Sequence, residues 1–95
     1  SFTQLFQADI LVEDATIHRP VSLQGVSRAQ QIFMWADAEI EVKLIPYGSN
    51  LASTPVGITL YPQVPSVLSV QNIVEIYVSN STGQQGRIII QGAGI

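Results

Sequence analysis

Between residues 38 and 48, "AEIEVKLIPYG", apolar and charged side chains alternate strictly: Ile40, Val42 and Leu44 against Glu39, Glu41 and Lys43. A backbone that sends successive side chains to opposite faces is a β-strand, and one apolar face makes it half-buried. Pro46 and Gly48 punctuate its end. The same period returns in "LFQADILVED", where Phe6, Ala8, Ile10 and Val12 alternate with Leu5, Gln7, Asp9, Leu11 and Glu13. "ATIHRPVSL" reads as another strand, with Pro20 at an edge or bend because it has no N–H to donate. "QQIFMWADA" is apolar on both faces from Ile32 to Ala36, as expected of a central strand or of one running through a bulge into the next. After the loop "PYGSNLASTP", a short strand is expected from Gly57 to Tyr61 and a second at "SVLSV". "NIVEIYVSN" and "GRIIIQG" flank the polar loop "SNSTGQQG" and are expected to pair as a hairpin. Helical spacing is absent apart from one turn near "VSRAQQ". The expectation is an all-β chain: an antiparallel β-sandwich of seven or eight short strands, with the jelly roll as its variant.

Ninety-five residues fit one domain, 1–95, with a single core. The chain is 46% hydrophobic and only 12% charged, about half the usual charged share. That leaves few charges to keep a surface apart from its neighbours. Either Ser, Thr, Gln and Asn supply the polar surface, or part of the surface is covered in an assembly. The four basic residues, Arg19, Arg28, Lys43 and Arg87, are scattered through a chain of net charge −3. No basic patch offers a footprint for nucleic acid or for anionic lipid. Cysteine is absent, which removes disulfides, thiolate chemistry and Cys-based zinc sites. No run approaches the roughly 18 apolar residues of a membrane helix, and the first residues carry no basic segment of a signal peptide.

The residues that invite chemistry are few. His18, in "TIHRP", is the single histidine and has no nucleophile motif to serve as base. One histidine is also a poor start for a zinc centre, so no catalytic residue, cofactor or metal is assigned. Asp37, Glu39 and Glu41 would share one face of a regular strand. Three carboxylates in a row fit a hard cation or the acid pair of a glycosidase. A flat strand, however, supplies too few oxygens for Ca²⁺, and Lys43 partly neutralises the row. A solvated, charged face that deters edge pairing explains it as well. Among the aromatics, Tyr47 follows Pro46 and Tyr61 precedes Pro62; exposed rings at these positions would let sugars stack, so Tyr47 and Tyr61 are the residues of an alternative carbohydrate- or receptor-binding function. Asn80-Ser81-Thr82 matches the N-glycosylation triplet but is equally ordinary loop composition.

The C-terminal stretch "RIIIQGAGI" is more informative. In a strand Ile88 and Ile90 share a face while Ile89 opposes them, and each buried isoleucine contributes roughly 1.5–3 kcal/mol. Val74, Ile76 and Val78 are expected on the core side of "NIVEIYV". If Ile88 and Ile90 join that core, Ile89 lies outward beside Glu75 or Tyr77. Gly92 and Gly94 would let the end of the chain bend along a partner and seat Ile95 in a pocket. Ile89 and Ile95 are therefore the expected interface residues of a homo-oligomer.

In texture, "EIEVKLIPYG" and "VEIYVSNSTGQQGRIIIQG" resemble the strand-and-polar-loop segments of small all-β virion proteins of tailed phages, the capsid decoration or cement proteins and tail-fibre modules. The resemblance spans the chain but rests on no specific motif, so it transfers no functional residues. It implies a non-enzymatic structural protein of the virion: a homo-oligomer, with a trimer as one closed form, that stabilises a particle by binding other virion proteins such as the major capsid protein.

Overall fold

The computed structural model describes residues 4–53 and 57–95, with Gln71 by its backbone alone; Thr54 and Pro55 of the expected loop lie outside the described residues. Seven strands and no helix are found among them: β1 (Gln4–Val12), β2 (Thr16–Val21), β3 (Ala29–Ala36), β4 (Ile40–Pro46), β5 (Ile58–Leu60), β6 (Ser66–Asn80) and β7 (Gly86–Gly94). All pairings are antiparallel. The hydrogen-bonded order is β1-β7-β3-β6-β4-β5, with β2 also on β6.

β6 makes two layers out of this one ladder. At about 3.3 Å per residue, its 15 residues would extend nearly 50 Å, beyond the molecule's longest extent of 40 Å. It therefore bends. Residues 66–73 pair with β3, whereas residues 73–79 pair with β4 and residues 76–80 with β2. The bend falls at Asn72, in the left-handed region with φ 54°, which Asn tolerates better than most side chains. It is tied on both sides: Gln30 Nε2 donates to Asn72 Oδ1 at 3.1 Å, and the Tyr47 N–H donates to the Asn72 carbonyl at 2.8 Å. The expected strands at "SVLSV" and "NIVEIYVSN" are thus one bent strand.

The two layers, β1-β7-β3 with the first half of β6 and β2, β4 and β5 with its second half, close on one apolar core. Phe6, Val12, Ile32, Met34, Ile88 and Ile90 come from the first; Val21, Ile40, Val42, Leu60, Ile76 and Val78 come from the second. The alternation of β1 holds as expected, with Phe6 and Val12 buried and Ala8 and Ile10 partly so. In β4 it holds through Leu44: Ile40 and Val42 lie in the core and Leu44, half-buried, packs against it, while Ile45 is buried outside that cluster. The register with β6 slips between Ile45 and Pro46. The same slip buries Ile73 and leaves Val74 half-buried, which corrects the expected core position at Val74: a β-bulge reverses which side chains face in.

The expected hairpin of β6 with β7 does not form. β7 pairs with β1 and β3 instead, because the chain crosses between layers at residues 81–85. Asn80 anchors that crossing. It is buried, and its Nδ2 donates to the carbonyls of Val12 at 2.9 Å and Gln84 at 2.8 Å. Its Oδ1 accepts from the Thr82 N–H and hydroxyl.

Candidate assembly surface

With Ile88 and Ile90 in the core, the outer face of β1-β7-β3-β6 follows from the registers. Leu5, Ala93, Gln31 and Ser69 form one cross-strand row; Gln7, Gln91, Phe33 and Val67 form the next. Asp9, Ile89 and Trp35 form a third, and Leu11 stands opposite Arg87 in a fourth. Leu5 and Val67 are 78% and 77% exposed, and both line a shallow groove floored by Phe33 and Ala93. Phe33, Trp35, Ile89 and Ala93 are half-buried. The surface thus carries seven apolar side chains from four strands.

Ile89 does lie outward, but its neighbours are Asp9 and Trp35 rather than Glu75 or Tyr77. Those two lie on the half of β6 that belongs to the other layer, where the Tyr77 hydroxyl donates to Glu75 Oε2 at 2.7 Å. That bond to the carboxylate, above all, raises the Tyr77 pKa. On the apolar face the border is ionic. Arg87 grips Asp9 with two parallel bonds, Nε to Oδ1 at 2.8 Å and Nη2 to Oδ2 at 2.5 Å. These bonds lower the Asp9 pKa and raise that of Arg87, so the pair remains charged across ordinary pH.

Ile95 is 48% exposed, and the end of the chain does not swing away. The Ile95 carbonyl accepts from the Ser27 and Arg28 N–H groups, and its own N–H donates to the Arg28 carbonyl. The glycines serve this intramolecular packing. A Cβ on Gly94 would lie 1.9 Å from the Arg28 carbonyl oxygen, and one on Gly92 would lie 2.2 Å from the Phe6 ring. Gly92 and Gly94 are needed by the chain's own layers, which replaces the expected bend along a partner.

Tyr47 and Tyr61 are both exposed, but they do not share a platform. Tyr47 follows Pro46 at one end of β4. Tyr61 follows Leu60, the partner of Ile40 at the other end, about 20 Å or more away at the rise of a strand. Arg28 covers one face of the Tyr47 ring at 4.0 Å.

The acidic row is also broken. Glu39 and Glu41 border a polar cleft with Thr59 and Ser79. Asp37 turns instead toward β7, its Oδ1 accepting from the Arg87 N–H at 2.7 Å. Among the described residues no group of three or more His, Asp or Glu side chains is placed to hold a metal ion. His18 is half-buried at an irregularity of the β2–β6 pairing, where its backbone N–H donates to Ser79 Oγ.

No protein-family model and no curated protein matches the chain. A solved structure does: a chain of Bacillus endospore appendages, described as a novel family of disulfide-linked pili, aligns over 100% of this chain and 92% of its own with a TM-score of 0.55. The two sequences are 8% identical, so what they share is the fold: a small all-β architecture.

Proposed function

We propose that this chain is a non-enzymatic structural subunit that assembles with copies of itself through the outer face of β1-β7-β3-β6. The observation that carries the proposal is the apolar surface of Leu5, Phe33, Trp35, Val67, Ile89 and Ala93, in which Leu5 and Val67 are exposed and the other four half-buried. Burying such a surface is favoured by roughly 25 cal/mol for each Å² of apolar area removed from water. The low charge of the chain opposes association little. The endospore appendage chain is an instance of this fold in a surface assembly. Those pili are disulfide-linked, whereas these 95 residues hold no cysteine, so association here is non-covalent.

In its finer form the proposal is a virion subunit, a capsid decoration protein that closes into a ring, such as a trimer, on a lattice of the major capsid protein. An open filament is the contrasting form of the same self-assembly, and electron microscopy of the assembled material separates the two. The test of self-assembly is light scattering at micromolar concentration. The native chain is expected above its one-chain mass, and Ile89→Asp at the one-chain mass with its thermal unfolding little changed. A native chain that scatters as a monomer, indistinguishable from Ile89→Asp, contradicts the proposal.

A further inference from the structure

β1 ends the strand order, so no strand is hydrogen-bonded to its outer backbone edge, which the segment from Arg19 to Gln24 faces across a cleft. In an antiparallel ladder every second residue turns both its N–H and its C=O to a given edge. On the outer edge of β1 these are the odd-numbered residues, and two of them are met by side chains. The Leu11 carbonyl accepts from Arg19 Nη1 at 2.8 Å. At Gln7 both groups are engaged by one carboxamide: the Gln7 N–H donates to Gln24 Oε1 at 3.2 Å, and Gln24 Nε2 donates to the Gln7 carbonyl.

A carboxamide presents a donor and an acceptor side by side, as a strand does to its neighbour. Gln24 therefore stands where a peptide of an added strand would stand. Its own backbone is held for the task. Gln24 has φ 53° and Gly25 φ 92°, the left-handed conformation that a non-glycine residue adopts uncommonly. The Gln24 N–H donates to Ser22 Oγ, and the Val26 N–H to the Leu23 carbonyl, closing the turn.

We infer that Gln24 is an intramolecular stopper: it occupies the β1 backbone pair that β1 of a second copy would otherwise take, and so holds back edge-to-edge joining of two sheets. The occupant follows from the chemistry of the edge. Two antiparallel β1 strands related by a two-fold axis through Gln7 exchange the Gln7 N–H and C=O groups reciprocally. In that register Asp9 of one copy faces Leu5 of the other, so no like charges meet. Unpaired edges are a general route to unwanted association, and side-chain coverage is one way proteins close them.

This inference concerns an edge rather than the apolar face, and its test is made in an Ile89→Asp background so that the two fail separately; Ile89→Ser serves if the aspartate variant does not fold. Sedimentation equilibrium compares that parent with versions also carrying Gln24→Ala or Gln24→Glu, the latter keeping length but losing the amide donor. Both are expected to dimerise at least about tenfold more tightly than the parent. The Gln7 amide is expected to exchange faster with solvent in dilute monomer and to regain protection in the dimer. Dimerisation within a few-fold of the parent, or a dimer in which the Gln7 amide remains unprotected, overturns the inference.

Discussion

Asn80 shows how much one polar side chain can fix. It sits at 1% exposure, and its amide bonds to β1, to the 81–85 crossing and to Thr82. Asn80→Ala leaves the Val12 and Gln84 carbonyls without this donor in a buried place, at a cost of about 2–3 kcal/mol measurable by urea unfolding. The triplet at residues 80–82 is legible in the sequence as a loop, but not as an anchor, because Val12 lies far away in the chain. Asp9 adds a pH-dependent element. Its pKa is lowered in the folded chain, so its pairing with Arg87 stabilises fully above its ordinary value of 3.8. The contribution fades as pH falls below that value through the lowered folded pKa. The thermal midpoint of Asp9→Asn is therefore expected to converge on that of the native chain in acid and to lie slightly below it at neutral pH.

At the scale of elements, period-two reasoning succeeds wherever a strand is regular. It finds β1, and it assigns Ile88 and Ile90 to the core and Ile89 to the outside; in β3, apolar on both faces, only the structure separates the inward Ile32, Met34 and Ala36 from Phe33 and Trp35. It fails where the backbone departs from regularity. The left-handed Asn72 and the bulge between β4 and β6 depend on pairing partners, so nothing local announces them. The consequence is measurable: Ile73→Ala is expected to cost about 2–5 kcal/mol, as a buried isoleucine does, and Val74→Ala less than half as much. The opposite order in urea unfolding would restore Val74 to the core.

Across the whole molecule, neighbours in sequence are not neighbours in the ladder, since β7 sits between β1 and β3. Leu5, Phe33 and Val67 were not legible as one surface for this reason: only the registers through β7 bring them together with Ile89. The same topology places the chain's one tryptophan, Trp35, on that face beside Ile89, where it reports on what covers it. If copies of this chain assemble there, Trp35 emission shifts to shorter wavelength and loses access to acrylamide as concentration rises from nanomolar to micromolar, and Ile89→Asp abolishes the change. Emission and quenching that stay constant across that range, in a chain shown by scattering to associate, would contradict assembly through this face.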